Sequence, residues 1–320
     1  MTCPLPPRRT RLSPLILGLA VLAGASLPAQ AQITLTDDAG QPLRLDKPAT
    51  RIVSLAPHVT ELLFAAGAGA RVVGVVAYSD FPPEARALPQ VGSYTQVDLE
   101  AVIALRPDLV VGWKSGNREQ HLERLRALGI AVWLNEPRSL DDVARSIEAL
   151  GTLAGSTAVA QANADAFRRR HARLKADYSE RPTVRTFYQI WDRPLMTVND
   201  EHVIADVIRL CGGQNVFGTL AQLAPTIGVE SVLAANPEAI VASGMDEARP
   251  EWLDQWKRWP ALAATAADNL FFVPPDLIQR HTPRLLDGAE ALCAHLETAR
   301  SRRTAPGATS TTSPAPADTR

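Results

Sequence analysis

The sequence lacks the patterns of the common enzyme and nucleotide-binding classes. It contains no G-x-x-x-x-G-K-[ST] loop, no G-x-G-x-x-G after a predicted strand, no G-x-S-x-G and no H-E-x-x-H. Its six histidines are scattered, without a recognisable metal-binding spacing. A net charge of −1 over 320 residues gives no reason to expect nucleic acid or an anionic membrane surface as partner. These absences favour a binding protein over an enzyme, and we expect no cofactor.

Cysteine is scarce, and the N-terminus decides how the three cysteines are interpreted. Arginines within residues 8–11 precede a short apolar run, and an A-x-A cleavage site follows at 29–31. We predict that residues 1–31 are a signal peptide, removed from an exported protein that does not span the membrane when mature. A retained anchor is disfavoured because the run is broken by proline and glycine. Cys211 and Cys293 then remain, and an oxidising compartment favours a disulfide, with two buried thiols as the alternative.

One long stretch without glycine or proline, Ser156–Arg181, is rich in good helix formers and is followed by Pro182. Ser156 is its predicted N-cap. Its apolar side is thin, and the predicted members of that side are Val159, Ala162, Ala166, Phe167, Leu174 and Tyr178. We interpret residues 155–181 as a helix between two domains, with a surface helix inside one domain as the alternative.

Short apolar strands alternate with helices on both sides of this stretch, which indicates parallel sheets covered on both faces. The predicted strands are 51–55, 72–76, 109–112, 131–134, 183–190, 239–242 and 270–273. An internal similarity supports two lobes, because DLEAVIALRPDLVVG (98–112) aligns without gaps on GVESVLAANPEAIVA (228–242). A generic likeness of helix–Pro–strand units is the alternative.

The predicted fold class is therefore α/β, with two Rossmann-like lobes of parallel sheet joined by one long rigid α-helix. The expected lobes are residues 32–154 and 182–303. Residues 304–320 are rich in proline, serine and threonine, and we predict a disordered tail there.

Aromatic residues make up only 5% of the chain, so their placement is informative. Tyr78, Tyr94 and Trp113 follow predicted strands of the first lobe or lie in the loop between them, and Trp191 follows the first strand of the second lobe. Ligand sites in parallel α/β sheets lie beyond the carboxyl ends of the strands. We expect these four rings to line a cleft for a flat or bulky, partly apolar ligand, with ordinary packing as the alternative.

Other aromatic and histidine residues are less specific. Trp252, Trp256 and Trp259 fall on one helical stripe, and we interpret them as packing. His58 and His281 lie near predicted strand–helix corners, where either could point into the cleft.

Six stretches between Arg51 and Leu296 carry a resemblance to a known family: RIVSLAPHVTELLFAAGA, GVVAYSDFPPEA, VDLEAVIALRPDLVVGWKSGN, RLCGGQNVF, GVESVLAANPEAIV and DLIQRHTPRLLDGAEALC. In these the chain resembles the class III periplasmic binding proteins of ABC importers, and most closely the cobalamin (vitamin B12)-binding members. The resemblance implies a corrinoid ligand between the lobes and a permease dimer as partner. We expect the binding protein itself to be a monomer.

The resemblance also implies roles for individual residues. Those that would contact the corrinoid are Tyr78, Tyr94 (tryptophan in relatives), Trp113, Asp276 and Arg280. Cys211 and Cys293 match a pair that is disulfide-bonded in relatives.

Glu100 and Glu230, one per lobe, would dock on arginines of the two permease subunits. One acidic residue per lobe also suits a two-fold partner, although both could stabilise helix N-termini instead.

The chain departs from the cobalamin-binding members at Ile190 and Ala224, where relatives carry aromatic residues. A haem or iron-siderophore binder of the same fold is therefore the alternative. In that case His58, Tyr78 or His281 would ligate or contact the iron complex.

Overall fold

A computed structural model describes residues 1–3, 32–244 and 248–303. The predicted signal peptide, apart from its first three residues, and the predicted tail from residue 304 lie outside these ranges. Within them, no helix combines the length and apolar character needed to cross a membrane.

The first lobe begins with a hairpin and continues as alternating strands and helices. Its elements are β1 (Ile33–Thr36), β2 (Pro42–Leu45), β3 (Ile52–Ser54), α1 (Pro57–Ala65), β4 (Val72–Gly74), α2 (Leu99–Ala104), β5 (Leu109–Trp113), α3 (Glu119–Ala127), β6 (Val132–Asn135) and α4 (Leu140–Ala154). Short 3₁₀ turns cover Gly69–Arg71 and Pro83–Ala87. Strands β3 to β6 form one parallel sheet in the order β4-β3-β5-β6.

The second lobe repeats this arrangement after a long helix. The elements are α5 (Thr157–Tyr178), β7 (Val184–Gln189), α6 (Val203–Leu210), β8 (Gly213–Asn215), α7 (Val229–Ala235), β9 (Ala239–Ala242), a 3₁₀ helix (Glu251–Arg258), α8 (Ala263–Ala266), β10 (Leu270–Phe272), α9 (Pro275–Ile278) and α10 (Leu285–Ser301). The parallel sheet has the order β10-β9-β7-β8. Both sheets thus place their strands in the spatial order second, first, third, fourth along the chain.

The internal similarity found in the sequence has a direct structural counterpart. Helices α2 and α7 begin at aligned residues, Leu99 and Val229, and strands β5 and β9 also begin at aligned residues, Leu109 and Ala239. Each strand is buried because it lies in the centre of a sheet covered by helices. The two-lobed α/β prediction is therefore confirmed, while the residue bounds assigned to the lobes stay a prediction.

The long helix is present, and its buried face agrees with the predicted one at Phe167 and Leu174 but not at the other positions. Its buried residues are Ala160, Ala164, Phe167 and Leu174, whereas Val159, Ala162 and Ala166 are exposed. The error arises because alanines occur on several faces of this helix, so composition does not distinguish them. Close approach to α4 selects the face, since a Cβ on Gly151 would lie 2.1 Å from the Cβ of Ala160.

The predicted cap of α5 is also corrected. Ser156 occupies the N-cap position but makes no capping hydrogen bond. Its hydroxyl instead donates to the carbonyl of Ala66 at 2.6 Å. The start of α5 is thereby tied to the end of α1, and one continuous buried cluster runs from the first lobe through α5 into the second.

Candidate binding site

The aromatic pair at the carboxyl edge of the first sheet is Tyr94 and Trp113. Trp113 is the last residue of β5, and its ring centroid lies 5.6 Å from that of Tyr94, with the planes inclined by 47°. Gly116 permits this arrangement, because a Cβ there would lie 1.9 Å from the indole. The structure therefore brings together two of the four predicted cleft rings.

Buried Asn117 fixes the position of this pair, and the sequence did not single it out. Its amide nitrogen donates to the carbonyls of Leu55 and Tyr94 at 2.9 and 2.8 Å, and its amide oxygen accepts from the backbone N–H of Trp113 at 2.7 Å. One side chain thus links the ends of β3 and β5 to the Tyr94 loop. The indole Nε1 of Trp113 is buried without a hydrogen-bond partner.

Tyr78 stands apart from the pair. It follows β4 with a left-handed φ of 65°, and it is 70% exposed. A non-glycine residue in this conformation is uncommon and costs free energy. The ring is largely exposed to solvent, and no ring contact joins it to Tyr94 or Trp113 among the described residues.

Trp191 lies at the corresponding edge of the second sheet, two residues beyond β7. Its Nε1 donates to the carbonyl of Arg193 at 3.0 Å. Together with Trp252 it lines a cavity of about 620 Å³. Trp252 packs against the second-lobe core as predicted, but the packing interpretation missed that it also faces this cavity.

Charged residues from both lobes meet between the two edges. Arg280 donates through Nη1 to Glu61 at 3.1 Å and to Asp80 at 2.6 Å, and its Nη2 lies 3.0 Å from Asp276. Arg284 donates to both carboxylate oxygens of Glu61 at 2.9 and 2.6 Å. The predicted pair Asp276 and Arg280 is therefore brought together, within a larger cluster that the sequence did not reveal.

Glu61 was missed although a signal was present. It is the one acidic residue in a largely apolar run, SLAPHVTELLFAAG, and such a residue requires a partner if that face is buried. Burial of Arg280 alone would lower its pKa, but the hydrogen bonds that it donates to Asp80 and Glu61 raise this pKa above the usual value. Arg280 is thus held in its charged form.

Three histidines form a row that begins beside Trp113. The ring of His58 lies 5.2 Å from Trp113 and 5.5 Å from His281, and His281 lies 5.5 Å from His202. His58 belongs to the first lobe and the other two to the second. Nε2 of His58 and Nδ1 of His281 are buried without hydrogen-bond partners.

All three histidines are neutral near pH 7. Burial lowers the pKa of His281 to about 4, and burial together with the neighbouring His281 and Arg138 lowers the pKa of His202 to about 3. Burial, His281 and Arg280 lower the pKa of His58 well below its usual value. Within the described residues, no group of histidine, cysteine and carboxylate side chains is arranged to hold a metal ion.

The remaining predicted residues lie away from this edge. Glu100 and Glu230 are exposed, each at the second position of its helix, α2 and α7. Cys211 and Cys293 form a disulfide with their Cα atoms 4.7 Å apart, so the predicted bond is confirmed.

Comparisons with known proteins cover both lobes. The family described as "Periplasmic binding protein" matches residues 52–277. The vitamin B12-binding protein of Vibrio cholerae serotype O1 is 36% identical over 253 residues, which span 79% of this chain and 91% of that protein.

Solved structures agree with this result. The crystal structure of the periplasmic vitamin B12 binding protein BtuF of Vibrio cholerae has a TM-score of 0.73 and 36% identity, covering 79% of this chain and 98% of its own. A periplasmic heme binding protein from Pseudomonas aeruginosa is 26% identical with a TM-score of 0.65, covering 77% and 92% of the two chains.

Proposed function

The chain belongs to the periplasmic binding protein family, and we propose that it captures a corrinoid, cobalamin, between its lobes in the periplasm and delivers it to an ABC importer. Identity of 36% to a vitamin B12-binding protein across both lobes carries this proposal. The chain acts as a binding protein and not as an enzyme, and it needs no cofactor.

The chemistry of the two facing edges supports a corrinoid. A corrin ring has extended apolar faces and a rim of carboxamide side chains. Tyr94 and Trp113 offer rings that can pack on an apolar face. Arg280 and Asp276 offer hydrogen-bonding groups for the rim from the opposite lobe. Tyr78, which is exposed, and Trp191, which is half-buried, complete the proposed ligand set.

The ligand proposal is tested by calorimetric titration of the chain from Gln32 onward with cyanocobalamin. Haem and a ferric siderophore are titrated in parallel. Tight one-to-one binding of cyanocobalamin alone is the expected result. Binding of haem or the siderophore without cyanocobalamin would contradict the ligand while retaining the family.

Docking on a permease dimer is proposed for Glu100 and Glu230. The repeat places one exposed carboxylate on each lobe at equivalent positions, which matches two related permease subunits. The binding protein is a monomer in this arrangement.

The docking proposal is tested by charge reversal at each glutamate in a reconstituted importer. Glu100→Lys and Glu230→Lys should each reduce stimulation of ATPase activity and uptake, while cyanocobalamin affinity stays unchanged. Glu123→Lys on α3 is the control, because this residue is also exposed and acidic. Full uptake by both variants would contradict the docking roles.

A further inference from the structure

Glu61 is a buried carboxylate of the first lobe that holds two arginines of the second. Its side chain is only 2% exposed. Arg284 binds both of its oxygens, and Arg280 adds a third contact at 3.1 Å. Removing one partner of a buried ion pair leaves an uncompensated charge, which is strongly unfavourable. Glu61 is therefore a fixed anchor between the lobes.

Asp80 contacts Nη1 of Arg280, the nitrogen that also donates to Glu61, but Asp80 is much more exposed than Glu61. Nη1 of Arg280 donates to Asp80 at 2.6 Å, and the Asp80 side chain is 40% exposed. Asp80 lies two residues after Tyr78, and the next residue, Phe81, lies 4.0 Å beneath the guanidinium of Arg284. Partial burial acts to raise the pKa of Asp80, but Arg280 outweighs it and holds this pKa below the usual value.

The donors of Arg280 are largely occupied in this arrangement. A guanidinium has five N–H donors, and Nη1 directs its two donors to Glu61 and Asp80 while Nη2 pairs with Asp276. A polar group that enters the cleft can accept a hydrogen bond from Nη1 only if it replaces Glu61 or Asp80. Water can solvate Asp80 after its release but cannot reach Glu61, so Asp80 is the partner that can be exchanged.

We propose that Glu61 is a positioning residue that fixes Arg280 for ligand binding, and that the carboxamide rim of the ligand displaces Asp80 from Arg280. The inference rests on the proposed function, because it takes the ligand to be a corrinoid. Displacement of Asp80 releases the loop that carries Tyr78, so the exposed ring becomes free to close on the bound ligand.

Two isosteric variants test this proposal with opposite expected signs. Glu61→Gln should weaken cyanocobalamin binding by about tenfold or more, since Arg280 loses a charge-assisted contact. Glu61→Asp, which keeps the charge, should recover part of that loss. Asp80→Asn should raise the affinity, by up to about fivefold, because a competitor is removed. Glu84→Gln, an exposed acid on the same loop, is the control and should change nothing.

Several outcomes would overturn the proposal. Unchanged affinity in Glu61→Gln, or an equal loss in Glu61→Gln and Asp80→Asn, would show that neither carboxylate has the assigned role. If Glu61→Gln does not fold, Asp80→Asn still decides, because weaker binding by this variant contradicts displacement.

Amide hydrogen exchange of the ligand-free protein tests the positioning without a corrinoid. Glu61→Gln should raise exchange in residues 77–88 and in residues 279–286, whereas Asp80→Asn should raise it in residues 77–88 alone. Unchanged exchange of residues 279–286 in Glu61→Gln would overturn the positioning role. Wild-type protein that does not bind cyanocobalamin contradicts the proposed function, and the exchange result then still decides the role of Glu61.

Discussion

The two lobes share one framework, by which we mean the order of their strands and the hydrogen bonds that join strands to helices. In the first, Arg51 donates to the carbonyl of Leu105 at 2.6 Å and its backbone N–H donates to Asp108 at 2.9 Å. In the second, Arg185 makes the equivalent bonds to Ala235 and Glu238 at 2.6 and 2.9 Å. In each lobe these arginine hydrogen bonds join the first strand of the sheet to the helix–Pro–strand unit that contains the third strand. The repeat therefore extends from strand order to individual hydrogen bonds.

The carboxyl edges of the two sheets carry different side chains, although the two lobes share the same framework. The first edge carries a packed aromatic pair, Tyr94 and Trp113, and the second carries the arginines that meet Glu61. A duplicated scaffold thus presents an apolar surface on one side and hydrogen-bonding groups on the other. This difference suits an amphipathic ligand. The framework shared by the lobes does not by itself determine which side chains each edge carries.

The largest expected effect concerns the disulfide, which the second lobe has and the first lacks in the described residues. It joins the end of α6 to α10 across 82 residues. The Cys211→Ala/Cys293→Ala variant should lose about 2–5 kcal/mol of unfolding free energy, measured by urea denaturation. Amide exchange should rise in strands β7 to β10. An equal rise in β3 to β6 would contradict a second-lobe effect.

Removing one indole from each edge should distinguish the lobes by ligand affinity. Trp113→Ala should weaken cyanocobalamin binding by about 2 kcal/mol, roughly 30-fold, because Trp113 belongs to a packed pair. Trp191→Ala should weaken cyanocobalamin binding by a smaller amount, because Trp191 lies beside an open cavity. Trp259→Ala, which removes a half-buried second-lobe indole outside the proposed ligand set, is the calorimetric control. A larger loss for Trp191→Ala would place the ligand mainly on the second lobe.

The histidine row that joins the lobes should make stability depend on pH. An unfolded histidine takes up a proton below about pH 6.5, whereas folded His281 resists protonation until about pH 4. The contribution of the neutral histidine to the free energy of unfolding is therefore fully present above pH 6.5. It decreases as the pH falls from 6.5 to about 4, by up to about 1.4 kcal/mol per pH unit for each such histidine.

Urea denaturation between pH 7 and pH 5 measures this slope. His281→Gln should reduce the slope, and His171→Gln on α5, a histidine outside the row, is the comparison variant. The same slope in wild type and His281→Gln would show that the row does not control the acid response.

A smaller effect is expected from the caps of the two equivalent helices. Asp98 caps α2 by accepting from the backbone N–H of Ala101 at 3.0 Å, whereas α7 has Gly228 at this position and no side-chain cap. Asp98→Ala should cost about 1 kcal/mol of unfolding free energy, and Gly228→Ser should gain a few tenths. Thermal unfolding measures both. A loss in Gly228→Ser would show that the added side chain is not accommodated beside Glu230.

The sequence predicted the frame well because each apolar strand is short, buried and bounded by helices. All seven predicted parallel strands are present. The eighth, β8, is Gly213–Asn215, and it was missed because Gly-Gln-Asn has no apolar run. It pairs with β7 and begins two residues after Cys211, so its position depends on tertiary contacts and not on a local apolar pattern.

The site was less predictable because its members come from distant parts of the chain. Tyr94 and Trp113 were identified from their places near strand ends, a rule that depends on local sequence. The contact of Arg284 with Glu61 joins residues 223 positions apart, and no local pattern encodes it. Helix faces rich in alanine, such as that of α5, also could not be assigned from composition.

The most direct test of the central claim is a crystal structure of the protein with cyanocobalamin bound. We predict that one face of the corrin packs on Tyr94 and Trp113, while its carboxamide rim bonds to Arg280. A corrin held in the cavity of Trp191 and Trp252, without contact to the first lobe, would contradict the account.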